Sequence, residues 1–177
     1  MLKVFIDHKT ALKLGEESKA SAKIGDSSTI EGDCEDYEAA CERIRKDNEE
    51  LLDGFVAMLR GKRLASRTIG THRDNVDFFV NEFLLRVDLI KPAEGTGRVN
   101  EFMGDWFIRK AMWSTPRAIK SNATSLYKFY TYLALTGKLS AAELAELKQT
   151  IDLRLPDWEI RCERYNDGKI EDWRGLD

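Results

Sequence analysis

Residues 114–137, STPRAIKSNATSLYKFYTYLALTG, decide the fold of this chain. Pro116 preceded by Thr115 is a strong helix start. Proline's missing N–H is one of the donors a helix leaves unpaired there, and the threonine oxygen can accept from the next turn. From that start Ile119, Ala123, Leu126, Phe129, Tyr130 and Leu133 recur at intervals of three and four residues and therefore line one face. Arg117, Lys120, Ser121, Thr124 and Lys128 line the other. Gly137 supplies the backbone freedom that ends the helix. The spacing predicts a two-faced helix, apolar inward and cationic with hydroxyls outward.

Upstream, Ser66 is placed to cap another helix, along which Ile69, Val76, Phe79, Val80, Phe83 and Val87 cluster on one side at 100° per residue, with Phe78 and Leu85 opposite. Apolar residues on two sides predict a central helix sandwiched between neighbours. From Cys34 to Arg60 the residues Tyr37, Cys41, Ile44, Leu51, Leu52, Phe55, Val56 and Leu59 follow helical spacing. The weak point Asp47-Asn48 suggests that the first core helix starts there and runs to Gly61. Between these helices and residue 114, Lys91–Gly97 reads as a surface loop, and Val99, Phe102, Met103, Trp106 and Lys110 share a face of a short third helix.

Downstream, Ser140 caps SAAELAELKQTI, and Leu155-Pro156 is expected to end the helical region. Trp158, Ile160 and Cys162 then alternate with charged residues before Asn166-Asp167-Gly168. This reads as a small hairpin or an extended tail that could pair with the strand-like LKVFID at residues 2–7. The expectation is a mainly α protein: a four-to-five-helix orthogonal bundle over residues 34–155 with its core at 48–152. An extension and linker at 1–33 and a tail at 156–177 flank it.

Hydrophobic residues at 42% and charged residues at 33% are the composition of a globular domain with a highly charged surface. No apolar run approaches the roughly 18 residues a membrane span needs. Charges interrupt MLKVFIDHKTALKLGEESK before a signal-peptide core can form, which points to a cytoplasmic protein. Cys34, Cys41 and Cys162 form no CxxC pair, and only His8 and His72 could assist them, so neither a zinc site nor a cofactor is expected.

Net charge is −3, but it is segregated: residues 60–130 hold 13 Lys/Arg against 7 Asp/Glu. No carboxylate occurs from Trp106 to Ala142, a stretch that also holds Arg109, Lys110, Arg117, Lys120, Lys128 and Lys138. Phosphates are the simplest partner for such a surface, because cations and hydroxyls around a helix N-terminus add direct hydrogen bonds to the favourable end of the helix dipole. Ser114 and Thr115 stand at one such start. Lys62, Arg63, Ser66, Arg67, Thr68 and Thr71 repeat the chemistry at the other. The plainer alternative is that both are ordinary solvated helix ends whose hydroxyls only cap.

The order of these motifs resembles a known family. A basic turn is followed by Ser66-Arg67-Thr68-Ile69 opening a helix. Thr115-Pro116-Arg117-Ala118-Ile119-Lys120 opens another, which continues as Leu126-Tyr127-Lys128-Phe129-Tyr130-Thr131-Tyr132-Leu133 and stops at Gly137. Residues 48–152 are in this respect similar to the SAM-like core-binding domain of tyrosine recombinases and phage integrases. The resemblance implies a compact helical bundle whose helices beginning at Ser66 and Thr115 face duplex DNA, in a protein derived from or acting beside a mobile-element recombinase.

The Asn-Pro that usually leads into that family's catalytic domain is missing, as is the domain's set of Arg, Lys, His-x-x-Arg and nucleophilic Tyr. Tyr165 has no His-x-x-Arg before it, so no strand cleavage is expected of this chain alone. His72-Arg73-Asp74 matches the first letters of a kinase catalytic loop, but no Gly-rich phosphate loop or Asp-Phe-Gly accompanies it. Gly95-x-Gly97 lacks a third glycine and is read as a loop. No small-molecule substrate is apparent.

Duplex DNA is the leading expected partner, with a recombinase or a second copy of the chain as protein partners. The alternative is a helical protein-interaction module without DNA binding, for which Trp106, Trp113, Trp158 and Trp173 are candidate anchors.

Overall fold

The computed structural model describes residues 28–168. Contacts divide the chain into Met1–Cys34 and Glu35–Asp177. The strand-like segment at residues 2–7, most of the linker, Trp173 and the Lys169-Ile170 end of the expected hairpin lie outside the described residues. Five helices are described, with no strand among them. The first, α1, spans Ser28–Gly61.

The next, α2, is one continuous rod: α-helical over Ser66–Asp77, π-helical over Phe78–Leu84 and α-helical again over Leu85–Asp88. Two short 3-10 turns, Pro92–Glu94 and Thr96–Arg98, lead to α3, which is built the same way from Val99–Glu101, a π segment Phe102–Trp106 and Phe107–Lys110. Helices α4, Pro116–Leu135, and α5, Ala141–Asn166, complete the bundle.

Helix α1 is longer than expected, since it passes through Asp47-Asn48 without a break and takes in Ser28–Asp33, which read as linker. Asn48 is buried and donates to Asn81 Oδ1 of α2 at 2.8 Å, so what looked like a helix-starting pair is an interhelical contact. A short turn joins α1 to α2, and an ion pair of Arg73 with Glu49 adds to the Asn48–Asn81 contact between them. Leu52, Phe55 and Leu59 of α1 are buried, with the Phe55 ring 5.5 Å from that of Phe129 on α4.

The sandwiching of α2 is observed. Ile69, Val76, Phe79, Val80 and Phe83 are buried, as is Leu85, while the half-buried Phe78 packs on Phe102 and Trp106, two rings that Phe83 also meets. The side chain of Val87 is outside the described set. The π turns account for part of this pattern, because an extra residue per turn lets Phe83, Leu84 and Leu85 all be buried in succession. Aromatic rings from the two π segments meet, Phe79 and Phe83 lying 4.9 and 5.2 Å from Phe102.

All six expected inner residues of α4, Ile119 to Leu133, are buried. The helix ends as its sequence predicts. Gly137 takes φ +73, Lys138 N–H reaches back to the Leu133 carbonyl at 2.8 Å and Gly137 N–H to that of Ala134 at 3.1 Å, which pairs two orphan carbonyls.

The C-terminal expectation fails. Pro156 lies inside α5, and Trp158, Ile160 and Cys162 are helical rather than strand-like. Leu147, Ile151, Trp158 and Cys162 are buried, with Leu155 packed against the core, so an apolar stripe at helical spacing runs unbroken past the proline. Pro156 itself is on the exposed side, where the carbonyl that loses its donor can turn to water. Trp158 fixes the segment. Its ring rests 3.1 Å from where a Cβ on Gly104 would stand, and its Nε1 donates to Asn100 Oδ1 at 3.1 Å. Asn166-Asp167-Gly168 is therefore the end of a helix, not a hairpin turn.

Candidate nucleic-acid interface

The two basic helix starts sit on α2 and α4, which pack against each other through polar side chains. Asn75 Nδ2 donates to Ser121 Oγ at 3.1 Å and to Ser125 Oγ at 2.9 Å. His72 Nδ1 lies 2.8 Å from the same Ser125 Oγ, whose own proton goes to the Ser121 carbonyl at 2.8 Å. A hydroxyl has one proton and two lone pairs, so with that proton committed Asn75 and His72 both donate, which places the histidine proton on Nδ1. Burial holds the His72 pKa below its ordinary value, and the nearby Lys128 charge pushes the same way. His72 is thus a neutral, hydrogen-bonded packing residue in this seam.

The order of these contacts gives the direction. Stepping back along α2 from Asn75 to His72 moves forward along α4 from Ser121 to Lys128, so the helices are antiparallel. Their starts therefore stand at opposite ends of the pair, roughly 20 Å apart along the axes at 1.5 Å per residue. The structure joins the two sets into one strip along the seam but does not bring the starts together.

At the α4 start, Thr115 Oγ1 accepts from Ala118 N–H at 3.1 Å, as expected of the cap. Arg117, Lys120 and Thr124 are exposed, and Ser121 and Lys128 are half-buried along the seam. Ser114 does not belong to the surface. It is buried, its Oγ donates to the Ile108 carbonyl at 3.0 Å and its own carbonyl accepts from Asn166 of α5 at 2.8 Å. Arg109 donates to Asp105, with Nε 2.8 Å from Oδ1 and a second nitrogen on Oδ2, so a carboxylate just upstream of the acid-free stretch offsets its charge. Lys110 is exposed on the next position.

At the α2 start the expected Ser66 cap is absent. Ser66 is the first helical residue, Ala65 occupies the cap position, and among the described residues no side chain caps the first-turn N–H groups. Those donors face outward beside Lys62, Arg63, Arg67 and Thr68, all exposed. Arg63 adopts φ +57, a left-handed conformation at a helix end where glycine is the usual choice. The proton of Thr71 returns to the Arg67 carbonyl at 3.1 Å, and that of Thr124 to the Lys120 carbonyl at 2.9 Å. Each hydroxyl must rotate before it can donate to an outside oxygen.

Arg73, Arg86, Arg98, Lys148 and Arg154 each meet a carboxylate. Lys62, Arg63, Arg67, Lys110, Arg117, Lys120 and Lys128 form no ion pair among the described residues. Two exposed apolar side chains lie between Lys110 and Arg117: Met112, which sequence reasoning passed over, and Trp113, one of the candidate anchors. Of the other candidate anchors, Trp158 is buried and Trp106 packs among the core aromatics. No described helix is long and apolar enough to cross a membrane. No family model matches the chain, and no curated protein or solved structure matches it.

Proposed function

We propose that this protein binds duplex DNA non-catalytically through the strip between the α2 and α4 starts. It does so as the core-binding domain of an integrase or site-specific recombinase does, without cleaving a strand itself. The observation that carries this reading is the set of cations that form no ion pair among the described residues, Lys62, Arg63 and Arg67 at one end and Lys110, Arg117 and Lys120 at the other. No described carboxylate competes with phosphates for them. A separation of roughly 20 Å exceeds the roughly 12 Å width of the major groove, so the two starts suit phosphates on opposite rims of one groove. The α2 start offers open N–H donors, and the α4 start offers a rigid, capped platform.

A salt titration on a mixed-sequence duplex tests the reading, because each phosphate contact releases counterions and the logarithm of affinity falls linearly with the logarithm of salt. Absence of binding at low salt overturns it. A second reading, a helical protein-interaction surface, draws on Leu153 and Ile160, which are 72% and 48% exposed and seven residues apart on α5. Sedimentation velocity across a range of concentrations tests self-association, and a strictly monomeric species removes the second copy as the partner.

A further inference from the structure

We propose that Met112 and Trp113 form an apolar wedge that enters a base step of the duplex and kinks it. The wedge rests on the duplex-binding reading above and adds to it a contact with the bases. Ser114 N–H donates to the Ala111 carbonyl at 2.9 Å, so Met112 and Trp113 are the two central residues of a hydrogen-bonded turn. Such positions ordinarily hold Gly, Pro, Asn, Asp or Ser. Here two large apolar side chains occupy them, Met112 with 93% and Trp113 with 49% of its surface open.

The tip is held firmly from behind. Ala111 and Ser114, on either side, are buried, and Ser114 is bonded both to α3 and to the last residue of α5. The Trp113 ring lies 5.3 Å from that of Phe78, which in turn packs on Trp106 and Phe107. One side of the indole is fixed against the core while the rest stays open. Lys110 and Arg117 flank the turn and Lys120 follows one helical turn later, with no carboxylate between Trp106 and Ala142.

An apolar tip ringed by cations is complementary to a polyanion with an apolar interior, which describes stacked bases between two phosphate strands. Methionine is among the side chains that proteins insert between base steps, and its unbranched, polarizable chain suits the gap. Indole rings stack on bases of any sequence.

The test uses the full chain and a mixed-sequence duplex of about 30 base pairs carrying a donor dye at one end and an acceptor at the other. Wild type should raise energy transfer on binding, as a bent duplex does. Met112→Ala, an exposed change, should bind roughly tenfold more weakly, the size of one apolar side chain no longer buried, and leave the duplex straight while the salt dependence stays the same. If Met112→Ala and Met112→Ala/Trp113→Ala bind and bend the duplex as wild type does, the wedge is wrong and duplex binding stands. If wild type binds no duplex at low salt, both readings fall. Capture of wild type by vesicles rich in phosphatidylserine, lost in Met112→Ala, without duplex bending, makes the tip a membrane contact and also overturns the wedge.

Discussion

The starts of α4 and α2 carry the same residue types, cations with hydroxyls around a helix N-terminus, yet they are built in opposite ways. At α4 the chain enters from a turn pinned by Ser114 and Asn166, Thr115 caps the helix, and Pro116 fixes the first turn. At α2 the chain enters from an exposed turn with Arg63 in a left-handed conformation, and no side chain caps the helix. A hydroxyl residue near a helix start is therefore not yet a cap; its position relative to the first helical residue decides. The two starts differ accordingly: a pinned and capped helix stands beside the cations at one end, and uncapped backbone donors stand beside them at the other.

The largest expected effect comes from cutting the anchor behind the α4 start. Trp158→Ala removes a buried ring that seats α5 on α3 and should cost about 3–5 kcal/mol by urea denaturation. A cost below about 1 kcal/mol would mean that the end of α5 does not support the bundle, and the contrast between the starts would lose its basis.

Charge reversal compares the two ends directly. Arg117→Glu with Lys120→Glu, and Lys62→Glu with Arg67→Glu, each remove two exposed cations and should lower the slope of log affinity against log salt by about 2, at little cost in stability. A change confined to one pair assigns the DNA contact to that end alone. Capping separates them on a finer scale. Thr115→Ala should cost about 1 kcal/mol, whereas Ser66→Ala, which removes no cap bond, should stay within about 0.5 kcal/mol. Equal costs would erase the distinction.

The smallest effect belongs to the seam between them. His72 has a folded pKa below its ordinary value of 6.5, so below that pH the unfolded chain takes up the proton more readily than the folded one. This part of the stability is present above about pH 6.5 and declines as pH falls towards the folded pKa. The urea midpoint should therefore drop between pH 7 and about 5.5, and His72→Gln should flatten that drop. A midpoint equally pH-dependent in the variant would place the titration elsewhere.

Much of the bundle was legible because α4, α2 and the first half of α5 carry strong local signals. Thr115-Pro116, the Ser140 cap, Gly137 and the inner stripes all act within a few residues of themselves. The misreadings share a cause. Asn48, Pro156 and the alternation around Ile160 are local cues outweighed by distant partners: Asn81 for the first, and the burial of Trp158 and Cys162 against α3 and the core for the others. The helical spacing of Ile151, Leu155, Trp158 and Cys162 was present in the sequence, and a longer window would have found it. Among the candidate interface residues, the exposure of Arg117, Lys120 and Thr124 was readable from the face they share. The burial of Ser114 was not, because it depends on Ile108 and Asn166.

By itself the sequence determined that residues 34–155 are mainly helical, which side of α4 faces inward, and that positive charge gathers over residues 60–130, since periodicity, caps and charge are properties of neighbouring residues. Tertiary structure alone decided that the two basic starts lie at opposite ends of an antiparallel pair, that Ser114 is a strut, and that Met112 and Trp113 project from the surface. Those outcomes depend on which helices pack together and in which direction, and packing is set by contacts between residues far apart in the chain.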